Sequence, residues 1–170
     1  AERVDVDLKR LSFVRQHHTN EFRDSLYLEA LMELERKVYK HYSSTEVSYK
    51  IAEWFNRRGS KYNPLVGEEF RWDKKKALQL CESAIKHFPK SYGAQQCTAL
   101  KHTILRYDLD LKSEKVNIPS QPFRSLVQHR NLSKIFLRAV AIDPQKYDKL
   151  RDKYYGDELL KELVKLVPTK

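Results

Sequence analysis

The sequence predicts a mainly helical chain with a β segment, an α+β class, and three observations predict it. Apolar residues recur every three or four positions from about residue 21 to residue 104, which keeps them on one side of a helix. After Leu105 the period shortens to two, as in a half-buried strand. From 144 to 167 helical spacing returns. The expected division is therefore antiparallel helix pairs over 1–106, then about three antiparallel strands of an incomplete β-sandwich with a C-terminal helix over 107–170.

Between Glu21 and Tyr42 the residues Phe22, Leu26, Ala30, Leu34 and Val38 form one stripe, widened by Tyr27 and Leu31. Ser43 followed by Glu46 is a capping-box pattern, in which the serine oxygen meets an exposed amide and the glutamate reaches back. The helix it opens carries Val47, Ile51, Trp54, Phe55 and Arg58, with Gly59 as its stop. Residues 60–72 break the pattern at Pro64 and Gly67 and predict an irregular loop. Asp73 is placed to cap the next helix, whose stripe is Ala77, Leu80, Cys81, Ala84, Ile85 and Phe88. Pro89 follows, and Ser91 caps a further helix with Cys97, Leu100, Ile104 and Tyr107 on its inner side.

The β segment divides into three strand-like pieces, around 107–112, 123–129 and 134–142. Leu109 and Leu111 alternate with acids, IFLRAVAI is a branched and aromatic run, and Pro119, Pro122 and Asn131 fall between the pieces. Three strands leave an open edge and an uncovered face, so the β part reads as incomplete.

Hydrophobic residues make up 41% and charged residues 33%, a folded composition with a charged exterior. The formal charge is +10, but the longest basic run is Lys74-Lys75-Lys76 and acids accompany most other clusters, so the charge reads as a solvated surface. NRRGSKY, with Arg57, Arg58, Lys61 and Tyr62, lacks the stacking platform of a nucleic-acid surface. No apolar stretch approaches the roughly 20 residues of a membrane helix. The start at Ala1, without a signal-peptide pattern, reads as a processed or trimmed piece of something longer.

The chemistry of catalysis is missing from the pattern. There is no phosphate-binding glycine loop, G-x-S-x-G elbow or H-E-x-x-H, so no enzyme and no cofactor is expected. His17-His18 reads as a solvated pair rather than a metal site, and Glu68-Glu69 has no argued cleft. The two cysteines, Cys81 and Cys97, stand equally far on either side of Pro89. If Pro89 turns two antiparallel helices, their facing Cα atoms approach about 4–5 Å, near disulfide range. They are a candidate disulfide, with two buried thiols as the alternative. A zinc site would need more ligands, and His87 and His102 are not obviously on the same face.

Two resemblances follow from these residues. Ala77, Cys81, Ala84 and Pro89 are spaced as in the second helix of a tetratricopeptide repeat, and IAEWFNRRG resembles the first. The loop 60–72 is longer than that family's tight turn. Further along, SYGAQQCTALKHTI, the VNIP turn, QPFRSLV, the HRNL turn and IFLRAV resemble the entry to the first β-sandwich of large bacterial alpha-2-macroglobulin-like proteins, over about residues 45–143.

That resemblance implies a long exported parent at the periplasm or cell surface, lipid-anchored through an upstream segment, that traps proteases. It implies partners in the rest of its own chain, in proteases or in other cell-envelope proteins. The Cys-Gly-Glu-Gln of a thioester is not in this sequence. An exported location would favour an oxidised cysteine pair. The competing expectation is an independent helical-repeat adaptor that binds peptide segments of a protein partner. Its expected contact surface is Trp54, Arg57, Arg58, Lys61, Tyr62 and Trp72, around the unusual loop.

Overall fold

The computed structural model describes residues 2–114, 116, 118, 121–138 and 140–168. Its elements in order are α1 (Glu2–His17), α2 (Arg23–Val38), α3 (Ser44–Gly59), α4 (Asp73–His87), α5 (Tyr92–Leu105), β1 (Asp108–Ser113), β2 (Ser125–Arg130), α6 (Pro144–Lys153) and α7 (Gly156–Val164). The chain is mainly helical with one small antiparallel sheet, the α+β class its periodicity predicts. It divides into two compact units, Ala1–Asn131 and Leu132–Lys170. Among the described residues no helix is long and apolar enough to cross a membrane.

In the first unit α1 packs on α2, α2 on α3, and α3, α4 and α5 pack on one another. Leu31, Val47, Ile51, Ala52, Ala77, Cys81 and Cys97 are the fully buried heart of that core. Small residues allow the close approach. A Cβ placed on Gly93 would lie 2.3 Å from the Thr45 carbonyl carbon and the Glu46 nitrogen, so the start of α5 rests directly on the start of α3. The buried hydroxyls of Thr45 and Ser91 share a 2.8 Å hydrogen bond beside that contact. Because the two N-termini meet, α3 and α5 run parallel, with α4 antiparallel to both.

Ser91 caps α5 as its sequence position predicts, its oxygen accepting from the Ala94 amide at 3.2 Å. The two other expected caps are not formed. Ser43 is buried and its hydroxyl pairs with His41 Nδ1 at 2.7 Å, because the turn before α3 already satisfies the first amides. Thr45 and Glu46 donate their backbone N–H groups to the carbonyls of Tyr42 and Ser43, and the capping box has nothing left to do. Asp73 is the first residue of α4 rather than its cap, and its carboxylate is taken by Arg58.

The hairpin pairs Leu109 with His129 and Leu111 with Val127. Alternation puts these on one face and Asp108, Asp110, Lys112, Leu126, Gln128 and Arg130 on the other. Asn131 ends the hairpin in the left-handed region, φ 57°, which asparagine tolerates better than most residues. Its side-chain amide donates to the carbonyls of Ile104 and Arg106 at 2.8 and 3.0 Å, where α5 runs out of its own partners. Asn131→Ala is expected to cost about 1–2 kcal/mol and to speed amide exchange in β1 and β2. Asn131→Gly keeps the backbone but not the bonds, so equal exchange in both variants identifies the hydrogen bonds as the anchor.

The third expected strand is not formed. Residues 134–138 and 140–142 are irregular, with Phe136 and Leu137 exposed. A branched apolar run needs a neighbouring strand to pair with, and among the described residues the sheet has two. Asn117 and Pro119 of the expected VNIP turn, and Ala139 of the third piece, lie outside the described residues. The single expected C-terminal helix is two, α6 and α7, parted at Tyr154-Tyr155 with Gly156 at φ 53°. In this second unit Asp143 caps α6 through the Lys146 amide, and Arg138 donates to the Val164 carbonyl at 2.6 Å.

Candidate functional site

The surface feature with the most polar chemistry is a cleft in the first unit, where α1 stands opposite α3. At one end, a space of about 490 Å³ is lined by Arg15 of α1, Arg23, Asp24 and Tyr27 of α2, and Lys50, Glu53 and Arg57 of α3. At the other, a space of similar volume, about 490 Å³, lies between Asp5, Lys9 and Phe13 of α1, Glu46 of α3, and Tyr92 and Gln96 of α5. Ser12, Gln16 and Lys50 line both, so the two spaces adjoin along α1 and α3.

Its two ends differ in character. The first carries four cations against two carboxylates. Lys50 and Arg57 both approach Glu53, at 3.2 and 3.9 Å, while Arg23 is spent on a long 3.4 Å contact to the His18 carbonyl. The second end balances its charges and presents Phe13 and Tyr92, each 63% exposed. An electropositive end and an aromatic end in one trough suit an extended, acidic segment with an apolar anchor.

Arg15 organises the basic end. Its Nε donates to Asp24 Oδ1 at 2.7 Å, and its guanidinium lies over the Tyr27 ring at 4.9 Å. The Arg15 hydrogen bond holds the Asp24 carboxyl below its ordinary range, and Arg23 and Lys61 add to the effect. A carboxyl lowered on folding contributes stability that is present above its unfolded value, roughly 3.9, and lost as pH falls through the lowered value. Arg15→Gln is expected to return the Asp24 titration, read by NMR, towards the ordinary carboxylate range. An unchanged titration would show that Arg15 does not hold it.

The residues singled out around the loop go to different places. Arg57 lines the cleft, and Lys61 is close enough to act on Asp24. Trp54 is buried in the core. Arg58 turns inward, its guanidinium 4.3 Å from the Trp54 ring and 5.3 Å from both Phe55 and Phe70. Phe70 reaches it from a left-handed backbone, φ 64°. Tyr62 is half-buried, and exposed Trp72 is flanked by Arg71 and Lys75. The loop 60–72 is a run of turns whose best-defined job is to deliver Phe70 to Arg58.

Sequence reasoning expected helices over 1–106 but identified no stripe for α1, and so missed half of the cleft. The signal was present, since Val4, Leu8 and Leu11 recur at helical spacing and all turn towards the core. His17 stacks on Phe13 at 4.2 Å and His18 Nδ1 accepts the Asn20 amide, so the two rings serve local contacts. Glu68 pairs with Arg71 at 2.6 Å. Among the described residues no group of three or more His, Cys, Asp or Glu is arranged to hold a metal ion. Cys81 and Cys97 are free, buried thiols on α4 and α5.

Comparison with known proteins finds no matching family model, no matching curated protein and no matching solved structure.

Proposed function

We propose that this chain is a non-catalytic structural and interaction region of an exported alpha-2-macroglobulin-like protease-trapping protein, with repeat-type helices leading into the first strands of a sandwich domain. The observation that carries this reading is the hairpin. Leu109, Leu111 and Val127 share one face, the other is mostly polar with Leu126 as its one apolar residue, and the two leucines are more than half exposed. That alternation suits a sheet packed on a second layer. On this reading the covering strands belong to the rest of the parent chain, at the periplasm or cell surface.

The test is to read the encoding gene beyond the codon for Lys170. A frame that continues into further β-rich domains supports the proposal. A stop codon at that point sinks it. In the protein itself, the open face should bind an apolar fluorescent dye, and Leu109→Ser with Leu111→Ser should remove most of that signal.

A second reading, an adaptor for peptide segments, is favoured by the cleft along α1, α3 and α5. A fluorescein-labelled decapeptide rich in Asp and Glu with one Trp should then bind, and binding should weaken as salt rises. A Lys-rich decapeptide of the same length should not. Equal binding of the two, or none by either, removes the adaptor reading.

A further inference from the structure

We infer that Cys81 and Cys97 are a redox-modification site: a dithiol that a small-molecule disulfide closes into an internal bridge, stapling α4 to α5. The pair holds every cysteine in the chain. Both side chains are fully buried in the same core cluster, beside Ile51 and Ala77. They lie on packed antiparallel helices, equally far from the turn at Pro89, and the two thiols are within hydrogen-bond reach of each other.

The thiols also influence each other. Hydrogen bonding from Cys97 holds the Cys81 thiol below its ordinary range, and the same contact together with burial pushes Cys97 up. The first thiolate therefore forms on Cys81. It attacks one sulfur of a disulfide such as oxidised glutathione, forming a mixed disulfide and releasing one glutathione thiolate. Cys97 then loses its proton to that thiolate and attacks the Cys81 sulfur, expelling the second glutathione. Two protein thiols are oxidised and one small disulfide is reduced to two thiols, so atoms and electrons balance.

Burial sets the kinetics. Both thiols are fully buried, so the oxidant reaches Cys81 only through local opening of the core. Oxidation is therefore slow in the native chain, and the finished bridge is equally shielded from reductants. The bridge closes a loop of about 16 residues, which corresponds to a rise in melting temperature of roughly 6–12 °C. Nothing in this proposal depends on the function proposed above.

The experiment incubates the native chain with oxidised glutathione, then alkylates all remaining thiols in urea and weighs the intact protein. The expected result is loss of both alkylatable thiols without bound glutathione, a peptide cross-link between the two cysteines, and the higher melting temperature. Cys97→Ala should instead stop at a mixed disulfide on Cys81. The proposal is overturned if the native chain still keeps both thiols after several days with the oxidant, long after the urea-unfolded control has finished oxidising. Glutathione left on either cysteine of the unsubstituted chain, or a bridged chain that melts lower than the reduced one, overturns it as well.

Discussion

Gly93→Ala is expected to be among the most damaging single-methyl changes in the first unit, costing about 3 kcal/mol and lowering the melting temperature by roughly 6–12 °C. The new Cβ would meet backbone atoms of Thr45 and Glu46 at 2.3 Å, and backbone cannot rotate away as a side chain can. Relief requires α5 to move off α3. That movement would also stretch the Thr45–Ser91 hydrogen bond and loosen the packing around Ala94 and Cys97. Alanine ordinarily helps a helix relative to glycine by roughly 0.5–1 kcal/mol, so a net loss isolates the steric term. Two other glycines supply the scale. At Gly59 an added Cβ lies 2.9 Å from the Lys74 nitrogen, and at Gly67 it meets nothing within 4 Å. Chemical denaturation should rank the alanine variants 93 worst, 59 intermediate and 67 neutral. A neutral Gly93→Ala would mean that α3 and α5 are not in backbone contact.

Arg58→Ala carries the other large expectation, a loss of about 3–5 kcal/mol. Asp73 is almost wholly buried, its side chain 4% exposed, and Arg58 grips both its oxygens. Removing the guanidinium strands a carboxylate in the core, with Lys76 at 3.8 Å the remaining cation. It also takes away the positive charge held over the Trp54 face. Arg58→Lys is expected to recover only part of the loss, because an ammonium cannot make the planar two-pronged contact or stack on the rings. The informative variant is the double change Arg58→Met with Asp73→Asn. A paired buried charge replaced by neutral groups is often close to neutral, so the double variant should be more stable than Arg58→Ala alone. Losses that simply add would show that the two side chains act independently, against the geometry.

These two contacts explain why the loop 60–72 is as long as it is. The end of α3 must meet the start of α4 closely enough for Gly59 to touch Lys74 and for Arg58 to reach Asp73. The loop bulges away from that junction and returns through Phe70, whose left-handed backbone turns its ring under Arg58. The sequence placed Arg58 both on the stripe of α3, beside Trp54 and Phe55, and in the expected contact surface around the loop. Its partner lies fifteen residues on, and only folding shows that its charge is consumed internally.

Much of the architecture was legible because it is local. The stripes of α2, α3, α4 and α5 each sit on one helix, so 3.6-residue periodicity reveals them without any knowledge of the partner face. The alternation at Leu109 and Leu111 revealed β1 in the same way, and Ser91 announced a true cap. The third strand failed for the complementary reason. IFLRAVAI has strand composition, but strands exist only in pairs, and whether a neighbour is offered is not a property of the run itself. Ser43 failed as a cap because the preceding turn had already satisfied the amides it would have met.

What the sequence by itself determined, then, is where α2 to α5 and the two strands form, since that follows from spacing along one element. The inward face was legible only in part, because Phe22, Leu26 and Tyr107, expected on inner stripes, are exposed. The meeting of Arg15 with Asp24, the cleft between α1 and α3 and the grip of Arg58 on Asp73 were decided by tertiary structure. Each joins residues from different helices, so their chemistry depends on how helices stack. That stacking is set by small side chains, above all Gly93, whose effect appears only when a second backbone arrives.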